Sequence, residues 1–218
     1  REVLPQVQDF LRKHADEDRP LVLDMAAHAS IAFAAGWVLE AKSGLDVRVR
    51  QRMMGEGVLD WHPKDGPVPE GPLWRDESDL ALDGNARDLA VALAVSQATV
   101  PEEALDYVQR KGLPVGRILK AVIAPEPGPR SVAGGAHSLR LAQSLIPRIR
   151  QRRPHERGGS VHLFSAAPNA LVFYLGQLSR SLGGRIVLYE YPFGEKDSWG
   201  RDQRSIELEV AGRDLSDW

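Results

Sequence analysis

The sequence predicts an α/β protein: two fused Rossmann-like units with mostly parallel sheets, related by a pseudo-two-fold axis. Three observations predict it. Short apolar runs alternate with helical patterns along the chain, the order that gives parallel strands joined by helical crossovers. One run, residues 87–98 (RDLAVALAVSQA), is apolar almost without alternation, as a strand buried on both faces is. A β-α-β outline is also written twice, over residues 21–51 and 161–191, at a constant offset of 140.

Taken in order, residues 1–19 carry Val3, Leu4, Val7, Phe10 and Leu11 at helical spacing and stop at Arg19-Pro20. Leu21–Met25 is a buried strand. Residues 29–42 are Ala-rich and free of charge until Glu40, so the predicted helix is buried over most of its surface. Asp46–Gln51 alternates as a strand with one wet face. Residues 52–86 lack periodicity and are rich in Gly and Pro, and they read as an insertion or hairpin outside the core. After the 87–98 strand, Thr99-Val-Pro-Glu102 matches a capping box, and the helix it opens ends at Gly112 behind Arg110 and Lys111. Arg117–Ala124 is a strand and 125–135 a Pro/Gly loop. A helix over 137–153 is expected to kink at Pro147. Val161–Ser165 (strand), Asn169–Leu182 (helix), Arg185–Tyr191 (strand) and the alternating edge strand Ser205–Val210 complete the chain.

In the repeat, Leu23, Ala26, Ala27, Phe33, Gly36, Gly44 and Val47 coincide with Leu163, Ala166, Ala167, Phe173, Gly176, Gly184 and Val187. That is seven identities in 31 positions, where unrelated sequences give roughly two or three. Any two β-α-β units share some of this pattern. A duplicated unit would in addition bring the carboxyl ends of both strand sets, and the N-termini of the helices that follow, around one crevice. Open α/β sheets bind ligands at such a crevice, and helix N-termini favour anions.

Composition narrows the function classes. Lys and Arg total 28 against 30 Asp and Glu, a formal net charge of −2, which argues against coating long DNA or RNA. The absence of Cys excludes disulfides, thiolate metal sites and cysteine nucleophiles, and fits a cytoplasmic location. No apolar run reaches the ~20 residues of a membrane span. The chain opens on Arg1 rather than Met, which reads as a fragment of a longer protein. Dinucleotide, P-loop, nucleophile-elbow and zinc-protease motifs are absent, so no catalytic or metal-ligating residue is predicted.

Candidate ligand-binding residues lie where strands turn into helices: His28 and Ser30 at the first junction, Ser165 and Asn169 at its repeat, and Gln97 after the 87–98 strand. Small residues there let a ligand approach the backbone, while Ser, His and Asn offer hydrogen bonds; Ser30 and Asn169 also suit plain helix capping. The 125–138 loop adds Arg130, His137 and Ser138. Trp74, Tyr191 and Trp199, with Trp61, are candidates for stacking on nucleobases. Tyr189 and Phe193 read as core. The basic run Arg148–Arg157 reads first as a solvated helix end, and second as a docking surface.

Val161-His-Leu-Phe-Ser-Ala-Ala-Pro168-Asn169-Ala170, then Phe173, Gly176 and Ile186–Tyr191, together with Ala27–Gly36 and Arg87–Ser96, resemble the SAVED domain. The resemblance spans about residues 20–210. It implies a sensor of bacterial anti-phage (CBASS) effectors, made of two fused CARF-like units, that binds a cyclic di- or oligonucleotide second messenger between its halves. It also implies ligand-driven self-association and an effector domain (nuclease, TIR or protease) fused ahead of the sensor. On that reading residues 1–19 are a helix or linker from an absent effector, and 20–218 the sensor, with halves at about 20–86 and 87–218. No cofactor is implied. Two other classes stay open: a phosphodiesterase acting on cyclic nucleotides through His28 or His137, and a protein-interaction module using Arg148–Arg157 or the 52–86 segment.

Overall fold

The computed structural model describes residues 3–15, 18–25, 27–53, 55, 57–190 and 204–210. Helix α1 (Val3–His14) precedes β1 (Leu21–Asp24), α2 (Ala29–Val38), β2 (Val47–Met53) and β3 (Gly57–Trp61). β1 and β2 are parallel, β2 and β3 antiparallel, and these three make one small sheet.

The second sheet holds seven strands. They are β4 (Trp74–Asp76), β5 (Asp79–Ala81), β6 (Asp88–Ala94), β7 (Val115–Ile123), β8 (Val161–Ala166), β9 (Gly184–Tyr189) and β10 (Arg204–Val210). Its order is β10-β9-β8-β6-β7-β4, with β5 also on β7. The four central strands are parallel, and the additions at both edges are antiparallel.

The apolar run became β6, and its two faces separate by residue size. Leu89, Val91 and Leu93 join the larger core, against α4 (Gly135–Arg150) and α5 (Asn169–Ser179), whereas Ala90, Ala92 and Ala94 leave room for α3 (Val100–Lys111). Burial on both faces is why the sequence shows no alternation there.

Most elements fall where periodicity puts them, although several bounds and details differ. The strand read as 87–98 stops at Ala94, because Val95 and Ser96 turn to place their N–H groups on Ala166 O. α2 ends at Val38 rather than at residue 42. The capping box does not form: Thr99 precedes α3 with helical backbone angles (φ −80°, ψ −6°) and no side-chain hydrogen bond, whereas a capping residue takes extended angles that aim its hydroxyl at the helix amides. The other end of α3 closes as expected on Gly112, left-handed at φ 58°.

The 52–86 segment is a hairpin in part, through β2 and β3, but it is not outside the core. Trp61 and Trp74 are 5% and 8% exposed and belong to the main cluster. β4 and β5 lie on β7, so the change of sheet falls between Trp61 and Trp74.

The two repeat helices meet each other. α2 and α5 run side by side in the same direction: Asn169 reaches Ala27 at one end, and Gln177 reaches Leu39 at the other. At the crossing, a Cβ on Gly36 would stand 1.9 Å from Phe173 O, and one on Gly176 would stand 2.2 Å from Phe33 O. Gly36 matches Gly176, and Phe33 matches Phe173, at the offset of 140. Each helix therefore presses its glycine onto the other's equivalent turn.

Candidate functional site

Because α2 and α5 run in parallel, their N-termini open on the same side, at the carboxyl ends of β1, β2, β8 and β9. Three side chains tie the two units together there. Asn169, the first residue of α5, donates from Nδ2 to Met25 O (2.9 Å) and Ala27 O (3.2 Å), which pins the β1–α2 turn. Glu190, just past β9, accepts the Ser30 N–H through Oε1 at 3.0 Å. Gln51, near the end of β2, accepts the Ala170 N–H through Oε1 at 3.4 Å. Ser30 and Ala170 are the second residues of their helices, and each receives its acceptor from the last strand of the other unit.

His28 stands at the N-terminus of α2 with extended backbone (φ −61°, ψ 151°). Its side chain is 75% exposed, and Nδ1 lies 3.6 Å from Glu190 Oε2. Ser30 is buried beside it. Ser165 is buried near the end of β8, and its Oγ has no protein partner among the described residues. Gln97 sits half-buried in the turn after β6. Ser131 donates to Val95 O at 2.8 Å, folding the 125–131 loop against the same strand end. Arg130 is exposed and leans over the β2–β3 turn, with Nη2 only 2.7 Å from where a Gly55 Cβ would be. Thus His28, Ser30 and Asn169 are brought together, with Ser165, Gln97 and Arg130 on neighbouring strand ends and loops.

The remaining candidates are placed differently. His137 is 2% exposed in the first turn of α4, and its Nδ1 accepts the Ala133 N–H at 3.1 Å. Burial pushes its pKa down, so the ring is neutral at pH 7 and fastens the loop rather than offering a cation to phosphate. Ser138, beside it, is fully buried. Trp74 is core: its indole N–H donates to Ser144 Oγ at 2.9 Å, and its ring does not form a surface on which a base stacks. Trp61 is likewise buried, whereas Tyr189 is core as read from the sequence. Tyr191, Phe193 and Trp199 lie outside the described residues.

Sequence reasoning missed Glu190 and Gln51. Both sit in strand patterns, where a polar residue reads as the wet face. The offset of 140 does not mark them either, since it sets Gln51 opposite Tyr191 and Glu190 opposite Arg50.

The basic run is mostly structural. Arg152 donates to Gly159 O (2.6 Å) and Glu156 O (3.3 Å), and Arg148 to Glu77 O (3.0 Å). A separate groove of about 540 Å³ lies between the α2–β2 loop, Pro63–Lys64 and α5, at the start of β2 rather than its end. Its His62 is engaged on both sides, with Nε2 2.9 Å from Asp46 and Nδ1 accepting the Lys64 N–H at 3.2 Å.

A family model, the SMODS-associated and fused to various effectors sensor domain (SAVED), matches residues 3–200. CD-NTase-associated protein 4 of Enterobacter hormaechei subsp. hoffmannii is 33% identical over 197 residues, which cover 88% of this chain and 37% of that protein. The Acinetobacter baumannii Cap4 SAVED/CARF-domain receptor with the cyclic trinucleotide 2′3′3′-cAAA superposes with a TM-score of 0.54 at 17% identity, over 91% of this chain and 42% of that one. The Moraxella osloensis Cap4 receptor gives 0.53 at 18%, over 88% and 39%. These structures share the fold, and the chain spans well under half the length of each relative. With a family model matched across nearly its whole length, this chain belongs to the SAVED sensor-domain family.

Proposed function

We propose that this chain is the ligand-sensing part of a CBASS anti-phage effector, working in the cytoplasm and binding a cyclic di- or oligonucleotide in the crevice between two related β-α-β units. The observation that carries the reading is the convergence of the α2 and α5 N-termini, cross-tied by Asn169, Glu190 and Gln51. Backbone N–H groups and helix dipoles aimed into one crevice suit a ligand with several phosphates, and this requires no excess of positive charge over the whole molecule. The cyclic trinucleotide held by the Acinetobacter baumannii receptor of the same fold supports the same ligand class here. The reciprocal glycine contact of α2 and α5 supports a pseudo-two-fold duplication, with one ligand lying across the axis.

His28, Ser30, Ser165, Asn169, Gln97 and Arg130 surround or border the crevice on this reading, and Tyr191 and Trp199 come after β9 in the sequence. Ligand contact with both units would fix their relative position, and the closed form would present a surface to a second copy. Self-association would then activate an effector domain carried elsewhere in the full protein. A binding role rather than catalysis agrees with His137, which is buried, neutral and committed to a backbone amide.

A thermal-shift screen of cyclic di- and trinucleotides, followed by sedimentation velocity, tests this. A ligand at 100 times its Kd adds about 2.7 kcal/mol, or about 5–11 °C at this chain length, and the ligand that stabilises should also raise the sedimentation coefficient. A ligand that stabilises without changing the sedimentation coefficient would leave the binding site standing and remove the self-association step.

A further inference from the structure

The amides of Ser30 and Ala170 match at the offset of 140, but the side chains that cap them come from positions one residue out of step and differ in charge. The α5 amide of Ala170 faces the neutral Gln51, and the α2 amide of Ser30 faces the carboxylate of Glu190. A carboxylate at a helix N-terminus is favourable because it meets the positive end of the dipole. For the same reason it takes the place of a ligand phosphate at α2, which like-charge repulsion keeps away. The α5 end carries no such charge on its acceptor.

Glu190 is 8% exposed, and the Ser30 N–H fixes its Oε1. That leaves Oε2 directed beside His28, whose Nδ1 at 3.6 Å is beyond hydrogen-bond distance. A carboxylate oxygen accepts and cannot donate. The His28 ring, exposed next to it, supplies a flat face at the same spot.

We infer that Glu190 is a specificity-determining residue whose Oε2 accepts a hydrogen bond from the exocyclic amine of one nucleobase, while the ligand's phosphates sit toward the Gln51 and α5 side. This rests on the crevice being the cyclic-oligonucleotide site proposed above. Adenine and cytosine present such an amine, whereas hypoxanthine and uracil present an oxygen in its place. An oxygen there sets acceptor against acceptor, and a buried polar group left unpaired is a strong means of rejection.

Isothermal titration of the whole chain with paired rings tests the inference: cyclic trinucleotides carrying adenine or cytosine, and the same rings with hypoxanthine or uracil. Wild type should prefer the amine-bearing ring roughly tenfold or more, about 1.4 kcal/mol. Glu190→Gln keeps an oxygen for Ser30 and turns Oε2 into an N–H donor, so it should lose or reverse that preference. Gln51→Glu should weaken all rings roughly tenfold or more, with the amine-to-oxygen ratio unchanged, because it brings a negative charge to the phosphate side.

A Glu190→Gln protein with the wild-type ratio, or wild type favouring the oxygen-bearing rings, overturns the inference alone. A Gln51→Glu protein with wild-type affinity overturns the placement of the phosphates. Failure of wild type to bind any ring overturns the function reading itself, and this inference with it. Should Glu190→Gln not fold, Gln51→Glu and the wild-type ratio decide.

Discussion

Besides Glu190, the buried charges Arg117 and Glu156 lie away from the crevice, near the other ends of the strands. Arg117 on β7 grips Glu156 through Nε (2.8 Å) and Nη2 (3.0 Å), and its Nη1 takes Asp79 at 2.8 Å. Glu156 has no exposed side-chain surface. Desolvation raises its pKa, but hydrogen bonds from Arg117 and the Arg153 N–H, with both guanidinium charges, outweigh this and hold it below the ordinary 4.5. A carboxylate with a depressed folded pKa contributes stability that is fully present above 4.5 and is lost as pH falls through the lower folded value. Thermal melts between pH 7 and pH 3 should therefore show stability falling below that point. Glu156→Gln should reduce that slope and cost up to about 3–5 kcal/mol at pH 7, because it leaves the buried Arg117 charge with Asp79 as its remaining carboxylate partner. At the crevice, Asn169→Ala removes two hydrogen bonds to the partly exposed β1–α2 turn. Stability should change by only about 1 kcal/mol, whereas ligand affinity should fall roughly tenfold as the turn loses its register. Calorimetric Tm and titration on the same variant separate the two effects.

Helix packing shows what the sequence could and could not reveal. Gly36 and Gly176 lie in helical patterns, where a glycine costs about 1 kcal/mol against alanine, and the contact between α2 and α5 accounts for both. Gly36→Ala and Gly176→Ala each drive a methyl into the facing backbone, so each should destabilise by about 1–3 kcal/mol or more, read as a lower urea midpoint. Gly84→Ala, with nothing within 4 Å of its Cβ position, should stay within about 0.5 kcal/mol. The offset repeat was legible in part because the crossing leaves no room for a Cβ at Gly36 or Gly176, although the packing of these two helices on each other was not read from it. β3, β4 and β5 were not legible. They are three to five residues long, embedded in Gly- and Pro-rich chain, and gain their order from strands far away in sequence. Trp61 and Trp74 were misplaced for the same reason, since burial is decided by the tertiary partner. The capping box failed because its motif describes only local chemistry, while the turn after β6 is shaped by hydrogen bonds to Ala166 and to the 125–131 loop.

For the whole molecule, the proposed function requires two β-α-β units to form one shared ligand site. On the proposed reading the parallel α2–α5 pair makes one shared site, so each chain should take one ligand. Near-balanced charge agrees with this, since such a site needs only local donors. Association should accordingly depend less on salt than long nucleic-acid binding does, because few phosphates are neutralised. The most direct measurement is isothermal titration of this chain against a panel of cyclic di- and trinucleotides. At least one of them should bind saturably, with one ligand per chain and with affinity weakened by Asn169→Ala. A folded chain that gives no binding heat with any member of the panel, at several temperatures, would contradict it.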